Sequence, residues 1–240
     1  MTWVRVEEIL SMVLGGSVDA AGAPDRLVLA CAEALPVTGV GLALMTEAGH
    51  GGTVAVSDAR ARTMEELQFT SGEGPCVECS DTGRPVLQPD LARTGPGRWP
   101  GFSDSAVGVG IRAVFALPLR VGAIRVGALD LYRDTAGELT DAELNEALSF
   151  ADAATQILLH LQSRAPLDGA GTSTVPLLED RAVVHQATGM IAVQAGVGMA
   201  EALIRLRARA YAAERPIVDL AEEVLDGVVN FAEEDGDQGR

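Results

Sequence analysis

Residues 176–231 read PLLEDRAVVHQATGMIAVQAGVGMAEALIRLRARAYAAERPIVDLAEEVLDGVVNF, and two breakers divide them into three helices. Ala195-Gly196-Val197-Gly198 closes the first by glycine capping, because Gly enters the left-handed region without a Cβ penalty. Pro216 fits the first turn of the third, where a missing N–H costs nothing. At 100° per residue, Met199, Ala202, Leu203, Leu206, Ala210 and Ala213 share one face of the middle helix. Arg205 and Arg209 sit opposite, pointing at solvent, with Glu201 and Arg205 spaced as an i,i+4 pair. Leu177, Val184, Ala187 and Ile191 stripe the first helix, and Val183 and Met190 lie well round from that stripe. Ile217, Leu220, Ala221, Val224 and Val228 give the third helix its packed face. The reading is an all-α three-helix bundle over 176–232.

The polar side of the first helix carries Arg181, His185, Thr188 and Ala192, and Tyr211 is the only aromatic residue in the first two helices. Arg both holds phosphate in its fork and stacks on bases with its plane. RNA recognition needs such phosphate neutralisation together with readout of exposed loop bases. In order of helices and breakers the segment resembles the ANTAR domain. That resemblance implies binding to paired short hairpins in nascent transcripts, which prevents terminator formation. Two modules per active unit would then match two hairpins. The candidate RNA-binding residues are Arg181, His185, Thr188, Arg205, Arg209 and Tyr211. ANTAR domains carry an Ala-Lys-Gly turn where this chain has Ala187-Thr188-Gly189, so the Lys is missing. The plainer readings are a solvated face for the arginines, a surface imidazole for His185 and a half-buried Tyr211 closing the bundle.

Working outward, residues 233–240 form an acidic tail read as disordered, and 165–175 form a breaker-rich linker with almost no bulky apolar residue. Before it, residues 1–164 mix helix and strand signals. Residues 24–35 and 58–69 read as helices, and 37–45 and 53–57 as short β-prone runs around a Gly-rich turn. Residues 71–85 are turn-rich, although Gly74-Pro75-Cys76 can open a short helix. The runs 112–120 and 124–132 are strong strand candidates, close enough to pair as an antiparallel hairpin. A long helix spans 139–163, opened by a capping box of Thr140 and Glu143. The fold class is α+β, an antiparallel sheet flanked by helices, followed by the helical bundle.

GEGPCVEC (72–79), then IRAVFALPLRVGAIRVGALDLYRD (111–134), then a terminal helix resemble a GAF domain of the actinobacterial kind that precedes an ANTAR module. The resemblance covers about 20–160 and implies a sensor of a small-molecule or redox signal. Cyclic-nucleotide GAF domains carry an Asn-Lys-Phe-Asp-Glu signature, which a chain without Lys cannot contain. Cys76 and Cys79 form a C-x-x-C, a possible redox pair; a zinc site would need two further ligands. Some GAF relatives reduce free methionine sulfoxide with pocket cysteines, which is the enzyme alternative.

The composition bounds these readings. All 18 basic residues are Arg, against 34 acids, for a net charge of −16. Residues 175–240 alone hold 6 Arg against 12 acids. No basic arm exists, which argues against non-specific binding of nucleic acid or anionic membrane. No 18-residue apolar run and no secretory leader pattern are present, three Cys make no disulfide framework, and the expected location is cytoplasmic. Leu144, Leu148, Ala151, Leu158 and Leu161 make an a/d-like stripe on the long helix. With Val183 and Met190 it suggests a homodimer. The reading is a non-enzymatic antitermination regulator, with a dimerisation bundle lacking RNA affinity as the alternative. Nothing in the residues names a cofactor.

Overall fold

In the computed structural model, residues 2–15, 22–46, 49–122, 124–164, 176–213 and 215–232 are described, and the side chains of 2, 3, 46, 49–51, 164 and 176–181 are not. The linker at 165–175 and the tail at 233–240 lie outside the described residues. The chain divides into two compact units, one made of most of residues 1–172 and the other of 173–240 with a few residues besides.

The first unit is built on five antiparallel strands: β1 (Gly39–Thr46), β2 (Gly49–Val56), β3 (Val86–Gln88), β4 (Ala113–Val121) and β5 (Ile124–Arg133), in the order β2-β1-β5-β4-β3. The expected hairpin is β4–β5, with Phe115 opposite Leu131 and Val121 opposite Ile124. Gly122, at φ 60°, turns the chain where a side chain would be strained. Strand alternation sends two different sets of residues to the two faces. Val40, Leu42, Phe115, Leu117, Leu129 and Leu131 face α1 (Thr2–Leu14), α2 (Ala23–Ala34) and α7 (Asp141–Arg164). Phe150, Ile157 and Leu158 of α7 close that core, and each such side chain stabilises by about 1.5–3 kcal/mol when buried. Val114, Ala116 and Tyr132 face the other way, toward α3 (Ala59–Ser71), α4 (Pro75–Thr82), α5 (Leu91–Thr94) and α6 (Pro100–Gly108).

The expected capping box opens α7: Thr140 N donates to Glu143 Oε2 at 2.7 Å, and Glu143 N to Thr140 Oγ1 at 3.3 Å. Arg133 ties the end of β5 to this corner, donating to Pro36 O at 2.7 Å and pairing with Glu143 at 3.4 Å. The stripe on α7 that suggested a homodimer is spent inside its own domain. Ala151 and Leu158 are in the core, and Leu144, Leu148 and Leu161 pack against it. A two-layer requirement explains this: a sheet with one bare apolar face must be covered, and α7 covers it.

The second unit contains α8 (Pro176–Ala195), α9 (Met199–Ala212) and α10 (Ile217–Leu225). Its core is Val184, Ala187, Ile191, Ala202, Leu203, Leu206, Ala210, Ile217, Leu220, Ala221, Val224 and Phe231. Gly196, at φ 67°, ends α8 as the glycine cap requires. Three residues expected in the core are outside it. Met199 and Ala213 are exposed because they sit at or beyond the ends of α9, and Val228 is exposed because α10 stops at Leu225. Among the described residues, no single helix is long and apolar enough to cross a membrane.

Candidate functional sites

The first unit holds a buried polar cluster between its sheet and α3–α4. Strand β5 places Ala128, Asp130 and Tyr132 on the face toward these helices, and α3 contributes Glu65 and Gln68. All of these side chains are buried. Tyr132 donates its hydroxyl hydrogen to Glu65 Oε1 at 2.8 Å, and Gln68 Nε2 donates to the Tyr132 oxygen at 3.1 Å. Gln68 Oε1 accepts from Cys76 N at 2.7 Å, fastening the start of α4 to α3. Thr53 Oγ1 of β2 donates to Glu65 Oε2 at 3.5 Å, a long contact. Glu65 reaches this position because β1 has Gly at 41: a Cβ there would collide with the Glu65 carboxyl.

Asp130 is 0% exposed, and neither carboxyl oxygen has a partner at hydrogen-bonding geometry. Its ionisable neighbours are Glu65, Cys76, Cys79 and Tyr132, all of them acids. Burial, reinforced by the charge of Glu65, pushes its carboxyl well above the usual carboxylate range. The Tyr132 hydroxyl is pushed up in the same way, first by burial and then by Glu65 and Asp130.

The two cysteines lie one helical turn apart on α4 and are both buried, Cys76 beside Ala43, Met45 and Ala128, and Cys79 in the core with Met64, Val86 and Leu91. Burial and the neighbouring Asp130 raise both thiols, keeping them protonated at neutral pH. That environment opposes thiolate chemistry rather than promoting it. Among the described residues, no group of three His, Cys, Asp or Glu side chains is placed to hold a metal ion.

In the helical unit the candidate RNA-binding residues separate. Thr188 is 2% exposed, and its Oγ1 donates to Val184 O at 2.7 Å, so it does not belong to the surface. It follows Val184 by four residues and therefore points into the same core, about 40° away round the helix. Arg205 and Arg209 flank the buried face of α9 instead of opposing it, and both are half-buried. Arg205 pairs with Glu201 at 2.7 Å, the expected i,i+4 pair, and the Arg209 guanidinium lies 5.0 Å over the Phe231 ring. Tyr211 is 76% exposed, not the half-buried closure of the plainer reading, because α9 presents it on the arc away from Leu206 and Ala210. His185 is half-buried. The Arg181 side chain lies outside the described residues.

The acid–tyrosine cluster of the first unit was missed in the sequence. Its one signal was an Asp in the inward position of a strand otherwise apolar on that face, Ala128-Asp130-Tyr132.

Two families match the chain in tandem. The family model for the GAF domain matches residues 23–159, and that for the ANTAR domain matches residues 177–225. No curated protein matches. The fold is similar to the GAF domain from an Acinetobacter phosphoenolpyruvate-protein phosphotransferase, at 12% identity and a TM-score of 0.53 over 69% of this chain and 97% of that one. It is similar in the same degree to the GAF domain of the corresponding Coxiella burnetii phosphotransferase, at 14% identity and a TM-score of 0.53 over 68% of this chain and 95% of that one. At such identities the likeness concerns the fold alone. With more than half of its length matched by one family model and its last helices by another, the chain belongs to the GAF domain family and carries an ANTAR domain behind the GAF domain.

Proposed function

We propose that this protein is a regulator of transcription antitermination, in which a signal received by the GAF domain governs RNA binding by the ANTAR domain. The observation that carries the reading is the tandem of the two domains, GAF at 23–159 and ANTAR at 177–225. The surface of α9 supports it. That helix offers an exposed aromatic, Tyr211, and two arginines, Arg205 and Arg209, whose guanidinium groups reach its flank. The candidate RNA contacts are therefore Arg205, Arg209 and Tyr211, with His185 and Arg181 on α8 as further candidates. The working unit is a homodimer in the cytoplasm, so that two ANTAR domains meet two hairpins. The excess of acids over arginines in residues 175–240 limits non-specific binding and keeps the salt dependence shallow, since few phosphates are neutralised.

The role is regulatory, not catalytic. A thiol-dependent reduction of methionine sulfoxide is disfavoured by two cysteines that are buried and held protonated. The alternative of a dimerisation bundle without RNA affinity draws on the exposed Val193 and Ile204. A gel shift of the full chain against tandem hairpins, with a single hairpin and a scrambled RNA as controls, decides between them. Binding of the tandem hairpins at lower protein concentration than either control supports the antitermination reading. Equal or absent binding of all three, with a dimer by light scattering, supports the alternative.

A further inference from the structure

We infer that a cavity between α1, α2 and α7 is a binding site for a small uncharged ring compound carrying one polar atom. These helices cover the face of the sheet opposite to Asp130 and Tyr132, so the site is separate from the buried polar cluster. It stands whether or not the ANTAR domain binds RNA.

The packing of the three helices makes the cavity. Ile9, Val13, Leu27, Phe150 and Leu158 close the core beneath it. Toward the end of α1 and the start of α2 that closure stops, because α2 contributes there only the methyl group of Ala23. A hollow of about 240 Å³ remains, lined by Leu10, Leu14, Ala23, Ile157 and Leu161 with Gln156 and His160. Close-packed interiors leave few voids larger than a water molecule. An apolar cavity of roughly 150 Å³ already holds benzene, so this one has room for a fused or substituted ring. Leu14 is 37% exposed, and Leu10 and Leu161 are half-buried, so the hollow leaves apolar surface wet that a ligand would cover.

The lining decides the chemistry of the ligand. It includes no Asp, Glu or Arg, so nothing there compensates a full charge, and burying an unpaired charge is costly. Gln156 and His160 stand one turn apart on α7, exposed, with side chains bonded to no other described residue. An amide and an imidazole both donate and accept hydrogen bonds, so the pair can hold one hydroxyl, ring N–H or carbonyl at the mouth. The walls are fixed in advance. Arg26 of α2 donates from Nε to Val13 O of α1 at 2.7 Å, and Arg5 of α1 from Nε to Glu146 Oε1 of α7 at 2.9 Å. A pre-formed apolar hollow with a few polar groups is the usual form of a small-molecule site.

The test uses the full chain, with indole as the probe and indole-3-carboxylate, the same ring carrying a charge, as the control. Indole is expected to raise the Tm of the GAF transition saturably, by about 4 °C at ten times the half-saturating concentration. The carboxylate should need at least tenfold more. Ala23→Leu fills the hollow and should abolish the response to indole while raising the Tm of the free chain. If that variant does not fold, the double variant Gln156→Ala with His160→Ala decides, since exposed side chains can be removed without loss of the fold. Half-saturation is expected there at roughly fivefold higher indole, the loss of one hydrogen bond. No saturable response in the natural chain, an equal response to the carboxylate, or an unchanged response in folded Ala23→Leu overturns the inference, as does unchanged half-saturation in the double variant. A chain that ignores indole, and is a dimer by light scattering that the double variant dissociates, assigns this face to a second copy and overturns the inference as well.

Discussion

The hydroxyl of Tyr132 donates to Glu65 Oε1 at 2.8 Å, joining the central strand β5 to helix α3 through two side chains that are both 1% exposed. The same hydroxyl oxygen accepts from Gln68, whose own carbonyl holds the first turn of α4. One phenol therefore connects strand, α3 and α4 in a single chain of hydrogen bonds.

Tyr132→Phe should loosen all three. The ring keeps its packing, but Glu65 loses a donor and Gln68 an acceptor in a dry interior. The expected cost is about 1–3 kcal/mol in the unfolding free energy of the GAF domain, read from urea titration. A loss below about 0.5 kcal/mol would mean that water reaches the cluster and replaces the hydroxyl.

The pH dependence of stability should run opposite to that of a salt-bridged acid. The folded value of Asp130 lies above the usual range, so the folded state binds its proton more tightly than the unfolded state does. Its contribution is most favourable below the ordinary Asp value of about 3.9 and is lost as pH rises toward the folded value. Asp130→Asn should therefore have a higher Tm than the natural chain near neutral pH, and the two curves should converge near pH 4. Parallel Tm curves from pH 4 to 8 would show that Asp130 is not held protonated.

Cys76 and Cys79 should resist alkylation. Both thiols are buried and pushed up by their surroundings, so the thiolate population at pH 7.5 is small. Iodoacetamide should label them at least tenfold more slowly in the native chain than in urea, as read by mass spectrometry. A mild oxidant should leave both reduced. Rapid joining of the pair would restore the redox reading of the C-x-x-C.

On the ANTAR domain the exposed and buried candidates should part company. Tyr211→Ala should weaken hairpin binding severalfold with little change in stability, because the side chain is 76% exposed. Arg205→Ala with Arg209→Ala should flatten the salt dependence of binding by roughly one unit of slope for each phosphate no longer neutralised. Removing Arg209 also costs about 0.5–1 kcal/mol of stability through its stacking on Phe231. Thr188→Val should leave RNA affinity unchanged, since the hydroxyl is engaged with Val184 O inside the bundle. Gel shifts at several salt concentrations, with thermal melts of each variant, check all three.

Local chemistry made much of this protein legible from its residues. Glycines at 196 and 198 and the proline at 216 mark the ends of three helices, because backbone freedom and its loss are properties of single residues. The hairpin of β4 and β5 followed from two apolar runs with a tight turn between them, and the start of α7 from Thr140 and Glu143. Even the burial of Thr188 was available, since it stands one turn from Val184. Helices α5 and α6 and the three-residue strand β3 are too short or too weakly patterned to announce themselves. Which distant residues meet is settled by tertiary packing alone. Asp130 and Glu65 belong to different elements far apart in the chain, and they are neighbours because the sheet order sets β5 beside β1 and Gly41 leaves room for α3 to press its acid against the strand. Strand alternation could point Asp130 inward, but only packing could give it a second carboxyl, two thiols and a phenol for company.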